Sequence, residues 1–241
     1  MNNDFPFYNG APVRITGPQW SFVMLAAALG FLALVWPGWA GLGMAGGFLS
    51  AVLFCAIPLL GLARVAPRHW TAIFHRVGLR EIGWMISFAL LNIVVSSAAG
   101  FVVIRTVGAA PNAATAALDA QSGPERVAFF LKTAVQLFGE ELVTILPLLL
   151  VLWLLFDRLG LSRRAAVIGA WVASAVLFGL LHLPTYQWNL VQCLVVIGSA
   201  RLVLSLAYLK TKNIWVSTGA HILNDWILFS VSLLGTFLLR R

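Results

Sequence analysis

The stretch Phe138-Gly139-Glu140-Glu141-Leu142 places two adjacent acids inside a long apolar run. The flanking residues 127–130 and 146–156 are almost all hydrocarbon. A single carboxylate at the centre of a bilayer helix costs about 2.5–3.5 kcal/mol on insertion scales. Because lipid exposure of two such groups is so unfavourable, either the segment does not lie in lipid or its acids face a polar interior. The rest of the chain decides between these two interpretations.

The composition identifies the whole chain as a membrane protein. Its 241 residues are 61% hydrophobic and 10% charged, whereas a soluble domain carries about 25% charged residues. The net charge of +8 comes from bases in short loops, without a basic patch interleaved with aromatics, so we expect no nucleic-acid partner. We expect an all-α, polytopic transmembrane helix bundle of about seven spans plus an amphipathic interfacial helix, surrounded by membrane lipids.

Seven apolar runs predict the spans, which lie at about residues 19–36, 41–63, 82–104, 125–156, 163–182, 187–209 and 214–238. The segment 64–80 is the predicted interfacial helix, with His69 and His75 as interface residues, and 105–124 is predicted as a loop. The expected organisation is an N-terminal tail (1–18), N-terminal helices with the interfacial helix and loop (19–124), and a catalytic helix bundle (125–241).

The distribution of basic residues predicts the orientation. With seven spans, most of them fall on one side of the membrane, and a smaller set falls on the other, namely Arg105, Arg126, Arg240 and Arg241. The side with more bases is expected to be cytoplasmic. We therefore expect a multi-pass protein of a bacterial inner (plasma) membrane with a cytoplasmic N-terminus.

Five ionisable residues within the spans are the candidate site: Glu140, Glu141, His182, His221 and Asp225. His221 and Asp225 share a helix face, whereas the two glutamates point about 100° apart. A carboxylate beside a histidine can hold and deprotonate a water molecule. A second histidine with a hydrogen-bonding partner can stabilise the oxyanion that forms when water adds to a carbonyl. The set therefore predicts peptide or amide hydrolysis without a serine or cysteine nucleophile.

A metal site is the competing use of these side chains. The spacing HExxH is absent, but a dispersed site of Glu140, His182 and His221 could bind a divalent ion such as zinc. The two cysteines, Cys55 and Cys193, lie in apolar runs without metal-ligand spacing. We expect no cofactor, with the metal as the alternative.

Three motifs in order carry a resemblance to a known family. They are Glu140-Glu141, Phe178-Gly179-Leu180-Leu181-His182, and His221-Ile222-Leu223-Asn224-Asp225. Over about residues 125–230 the chain resembles the CPBP family of CAAX-protease and bacteriocin-processing intramembrane proteases, which is marked by EExxxR, FxxxH and HxxxN or HxxxD. One position departs from this pattern, because Ile145 stands where the family has arginine. Lys132 and Arg201 are the other bases within spans, and we expect Arg201 to be the structural partner of an acid.

The resemblance implies an intramembrane endopeptidase whose peptide substrate enters from the membrane. Glu140 and His182 would activate water, and His221 and Asp225 would form the oxyanion site. An ionised carboxylate only accepts hydrogen bonds, so Asp225 donates only when protonated. Ile145 and Asp225 motivate the alternative of a catalytically inactive membrane scaffold or bacteriocin-immunity-type protein. The sequence specifies neither the substrate, which could be a prenylated CAAX peptide, a bacteriocin precursor or another membrane peptide, nor the oligomeric state.

Overall fold

The computed structural model describes residues 4–239, and the regular secondary structure among them is helical, with no strand. Seven continuous helical segments of the described residues are long and apolar enough to cross a membrane, so the predicted all-α, multi-pass architecture is confirmed. Predictions that involve residues 1–3, or Arg240 and Arg241 on the outer side, lie outside the described residues. The orientation of the chain stays a prediction.

These seven segments begin and end within a few residues of the predicted spans. Some of them join more than one of the helical elements described. In chain order the α-helices are α1 (Gly17–Val35), α2 (Gly43–Val65), α3 (Leu79–Thr106), α4 (Ala113–Asp119), α5 (Gly123–Trp153), α6 (Arg163–Leu181), α7 (Leu190–Gln192), α8 (Gly198–Thr211) and α9 (Ile214–Leu239). A π-helical turn continues α5 over Leu154–Arg158, and a second one joins α7 to α8 over Cys193–Ile197. The fourth apolar run is longer than a bilayer is thick, and at its end the α-helix changes to a π-helix.

The chain divides into two compact units of interleaved segments. The first unit contains the residues up to 76 together with 132–174 and 212–215, and the second contains 77–131, 175–211 and the residues from 216 onwards. The predicted division at residues 18 and 124 stays a prediction.

Small residues allow close helix packing in the first unit. A Cβ atom added at Gly61 on α2 would lie 2.5 Å from the Cβ of Ala26 on α1. Phe54 is fully buried and forms a core cluster with Ala27 and Val143. The Phe54 ring also fills the space where a side chain at Gly139 would point. Any larger residue at 139 would displace that ring, so this contact fixes the part of α5 that carries the acid pair.

Buried side chains and an ion pair hold the N-terminal segment in place within the first unit. Phe7 and Ile15 are fully buried. Arg163 at the start of α6 forms a salt bridge with Asp4 at 2.5 Å, and the Tyr8 hydroxyl donates to the same carboxylate at 2.8 Å. Desolvation by burial raises the pKa of Asp4, but the hydrogen bonds from Arg163 and Tyr8 outweigh it, so the pKa lies below its usual value.

The prediction of an interfacial helix at 64–80 is wrong. The helix α2 ends at Val65, only Trp70–Ile73 forms a short 3₁₀ helix, and the chain is not helical from there to α3. The reason is tertiary: the buried side chain of Asn213 accepts from the His75 backbone N–H and donates to the His75 carbonyl, both at 3.1 Å. These two bonds satisfy backbone groups that a helix would otherwise pair.

The predicted loop at 105–124 contains α4, which the sequence interpretation missed. The side chain of Asn112 accepts from the backbone N–H of Ala114 at 2.9 Å and so caps the helix. The helix itself is alanine-rich, which favours helix formation. In the same unit, Gln192 pairs with both backbone groups of Ala110 at 2.8 and 3.0 Å, which holds the loop against α7.

Candidate active site

A polar stripe runs along α5 in the first unit. Lys132, Gln136, Glu140 and Thr144 follow one another at four-residue intervals and therefore share a helix face. Gln136 Nε2 donates to Glu140 Oε1 at 3.0 Å, and Thr144 Oγ1 donates to the Glu140 carbonyl at 2.8 Å. The amide of Gln136 thus orients the Glu140 carboxylate. Sequence interpretation missed Gln136 and Thr144, although their spacing from Glu140 was a visible signal.

The two acids occupy different environments, as their divergence around the helix requires. Glu141 is fully buried, whereas Glu140 is only partly buried. Ile145 lies four residues after Glu141, on the same face, and is also fully buried. The position that has arginine in the motif EExxxR is therefore filled by hydrocarbon.

Aromatic rings pack around Phe138, two residues before the acid pair, within the first unit. Phe138 stacks on Trp215 with ring centroids 5.0 Å apart, and Phe74 packs against both rings at 6.2 and 5.1 Å. The non-helical segment that replaces the predicted interfacial helix supplies Phe74. The observed conformation of this segment therefore places an aromatic side chain against Phe138, two residues before Glu140.

In the second unit, His182 follows directly after the last residue of α6. Its Nδ1 lies 2.8 Å from the carbonyl oxygen of Phe178, one turn earlier. A carbonyl oxygen only accepts, so the proton sits on Nδ1. The neutral ring then carries its lone pair on Nε2, the form that serves as a base or as a metal ligand.

His221 on α9 has the opposite tautomer. Arg201 on α8 is fully buried, and its Nη2 lies 3.1 Å from His221 Nδ1. A guanidinium has donors and no acceptor, so Nδ1 must accept and the ring proton sits on Nε2. That Nε2 lies 3.8 Å from Asp225 Oδ1, which is longer than a hydrogen bond. His221 is therefore a neutral imidazole that presents an N–H on the side of the Asp225 carboxylate.

The ring of Phe178 lies among these groups. Its centroid is 4.5 Å from that of His182 and 6.4 Å from that of His221, and the Arg201 Cζ lies 4.2 Å above it. The next residue, Gly179, has no space for a side chain, because a Cβ there would lie 2.7 Å from the Cys193 carbonyl oxygen. The first two residues of the second motif therefore act through packing.

A buried amide chain reaches Asp225 from α3. Asn92 Nδ2 donates to Asn224 Oδ1 at 3.0 Å, and Asn224 Nδ2 donates to Asp225 Oδ1 at 2.8 Å. Asp225 Oδ1 is thus an acceptor, so any donor role falls to its other oxygen. Sequence interpretation missed Asn92, which lies outside the predicted catalytic bundle; its signal was a lone amide in an apolar helix, because such a group requires a partner when buried.

The structure brings three of the five predicted residues together within the second unit: His182, His221 and Asp225, around Phe178 and Arg201. Glu140 and Glu141 belong to the first unit. Within each unit, the described residues contain no group of three or more His, Cys, Asp and Glu side chains placed to hold a metal ion.

Comparison with known proteins gives one family. Residues 123–227 match the family model described as Type II CAAX prenyl endopeptidase Rce1-like. This range contains all three motifs and also Arg201, whereas Asn92 lies outside it. Neither a curated protein nor a solved structure matches the chain.

Proposed function

Residues 123–227 belong to the Rce1-like family of type II CAAX prenyl endopeptidases, and from this membership we propose that the chain is an intramembrane endopeptidase. It hydrolyses a peptide bond of a membrane-associated or prenylated peptide that enters from the membrane. The opposite tautomers of the two imidazoles carry the proposal, because hydrolysis needs a proton acceptor for water and a proton donor for the oxyanion.

The first step is the addition of water to the scissile carbonyl. The Glu140 carboxylate accepts the proton from water as the oxygen–carbon bond forms. Gln136 supports this role because its hydrogen bond to Oε1 fixes the direction of the carboxylate. The Nε2 lone pair of His182 accepts a hydrogen bond from the same water and orients it.

The second group of residues stabilises the tetrahedral oxyanion. His221 donates its Nε2–H to the negative oxygen, and Asp225 adds a donor when its Oδ2 carries a proton. Collapse of the intermediate breaks the carbon–nitrogen bond. Glu140 returns its proton to the departing amine, so the products are an amine and a carboxylic acid, which then ionises by releasing its proton. The scheme requires Glu140 and the two imidazoles to act on one carbonyl.

We propose that this hydrolysis needs no metal, with zinc at Glu140, His182 and His221 as the alternative. A histidine ligand must present a lone pair to the ion. Both nitrogens of His221 are committed otherwise, since Nδ1 accepts from Arg201 and Nε2 carries the proton. The charge of the adjacent guanidinium also opposes a bound cation. Both features support the metal-free scheme.

The test uses the full chain in lipid nanodiscs with a farnesylated CAAX peptide and its unprenylated counterpart. Glu140→Gln, His182→Gln and His221→Gln should each lower kcat by about 100-fold or more. Two matched controls should cleave at the rate of the unchanged protein: Glu125→Gln, in the exposed first turn of the same helix, and His75→Gln, an exposed histidine.

The outcomes separate the alternatives. Cleavage that survives Glu140→Gln overturns the proposed mechanism. If the unchanged protein cleaves neither peptide nor other membrane peptides, the inactive scaffold or immunity-type protein becomes the better interpretation. Selective cleavage of the farnesylated peptide identifies the prenyl group as part of the recognised substrate.

A further inference from the structure

We propose that Arg201 is a positioning residue that fixes His221 as its Nε2–H tautomer. The consequence for catalysis rests on the proposed function, whereas the tautomer itself does not. Arg201 lies outside the three motifs and was expected only to pair with an acid. Its contact with the imidazole assigns it a role in proton placement.

The position of the guanidinium is fixed on two sides. Its Cζ lies 4.2 Å above the Phe178 ring, a distance at which a cation is attracted by the face of an aromatic ring. Its Nη2 lies 3.1 Å from His221 Nδ1. The side chain is fully buried on α8, so burial restricts its rotamers further. Arg201 therefore presents an N–H to one particular atom of His221.

The chemistry of this contact excludes the other protonation states of the ring. In the Nδ1–H tautomer, two N–H groups would face each other at hydrogen-bond distance. In the imidazolium the same clash would occur, with a second positive charge placed next to that of the guanidinium. Only the Nε2–H tautomer pairs a donor with an acceptor. The contact of Arg201 with Nδ1 therefore determines that Nε2, on the opposite side of the ring, carries the proton that the proposed mechanism donates to the oxyanion.

Phe178 connects this arrangement to His182. The same ring that lies under the guanidinium also packs against the His182 ring, whose Nδ1 is bound to the Phe178 carbonyl. One residue of α6 therefore helps hold both imidazoles, and each has a different nitrogen protonated. The two tautomers can be distinguished in one sample, which makes the inference directly measurable.

The experiment is a two-bond nitrogen–hydrogen correlation spectrum of [¹⁵N]histidine-labelled full-length protein in lipid nanodiscs. Signals are assigned by the loss that His182→Gln and His221→Gln each cause. We expect His221 to show a protonated Nε2 and His182 a protonated Nδ1. A protonated Nδ1 on His221 in the unchanged protein overturns the proposal without any variant, so it does not depend on how variants fold.

Substitution then tests the cause. Arg201→Met removes the donor, and the His221 signals should change to the Nδ1–H pattern or to an average of both tautomers. Arg201→Lys keeps a cationic donor of similar reach and should retain the Nε2–H pattern. Lys210→Met, at an exposed base of the same helix, is the matched control and should leave it unchanged. An unaltered Nε2–H pattern in folded Arg201→Met overturns the proposal.

Activity provides a separate readout. Arg201→Met should lower kcat by about 100-fold, the scale of a lost oxyanion donor, with little change in KM, and Arg201→Lys should recover part of the loss. If the tautomer changes as expected but no variant or unchanged protein cleaves peptide, the proposed function fails and the positioning role stands. If cleavage is found but Arg201→Met keeps both its rate and its tautomer, the positioning role fails alone.

Discussion

Asn92 on α3 donates to the side-chain oxygen of Asn224 on α9 at 3.0 Å, and both amides are buried. This bond orients the Asn224 amide so that its nitrogen faces Asp225. A residue outside the family-matched range therefore helps determine the hydrogen bonds of a predicted site residue.

The first prediction concerns this pair. Asn92→Leu leaves the Asn224 oxygen without its donor and should lower the free energy of unfolding by about 1–3 kcal/mol. Thermal unfolding in nanodiscs measures the loss. Ser87→Leu, at an exposed position of the same helix, should have little effect. Equal unfolding temperatures for Asn92→Leu and the unchanged protein would contradict a structural role for this bond.

The second prediction concerns Gly179. Because glycine has no side chain, the Cys193 carbonyl can lie against it, and this backbone group could not rotate away from a larger residue. Gly179→Ala should therefore destabilise the protein by about 1–3 kcal/mol, as overpacking does. Gly100→Ala on α3 meets no atom within 4 Å and should be neutral or stabilising by up to about 1 kcal/mol, because alanine is the better helix former. The same sign for both substitutions would refute the packing argument.

The third prediction concerns Gln136. Gln136→Leu removes the donor to Glu140 Oε1 and should lower kcat about tenfold, which corresponds to the loss of about one hydrogen bond to a charged group. KM should change little, because Gln136 orients a reacting group and is not expected to bind the peptide. A selective rise in KM would instead place Gln136 in substrate binding.

The fourth prediction concerns the N-terminal segment and pH. Because the folded pKa of Asp4 is depressed, its salt bridge contributes stability above the unfolded value of about 3.9. That stability should be lost as pH falls through the lower, folded pKa. The protection of residues 5–15 against hydrogen exchange, relative to the intrinsic rate at each pH, should fall over this range. Asp4→Asn should show fast exchange at neutral pH already, whereas Glu81→Gln should behave like the unchanged protein.

The fifth prediction concerns metal dependence. If cleavage is detected, it should persist after treatment with EDTA or 1,10-phenanthroline, because the nitrogens of His221 are committed to Arg201 and to a proton. Loss of activity on chelation, with recovery on adding zinc, would establish the alternative site of Glu140, His182 and His221.

Run length and hydropathy were sufficient to predict the spans. A membrane helix satisfies its backbone within itself, so local sequence determines it. The segment 64–80 failed because distant side chains determine its structure: Asn213 binds the backbone at His75, and Phe74 packs on Trp215. Helical spacing of apolar residues cannot report such contacts.

The candidate site was predictable from local motifs, but the long-range contacts of its residues were not. Glu140, His182 and His221 could be named as candidates because buried ionisable groups are costly and their motifs are ordered, and their catalytic roles stay a prediction. The role of Arg201 could not be inferred, because which buried group a long side chain reaches depends on how the helices pack. The tautomers of the histidines are likewise visible only when the partner of each nitrogen is known.

The contact between Phe54 and Gly139 has a mechanical consequence. If α5 turned about its own axis, Gly139 would move away from the Phe54 ring and the larger side chain of Phe138 or Glu140 would collide with it. Phe54, an uncharged side chain on α2, therefore fixes the direction in which both carboxylates point from the helix axis. A larger residue 139 would displace the Phe54 ring, and the acid pair would then lose the contact that fixes its direction.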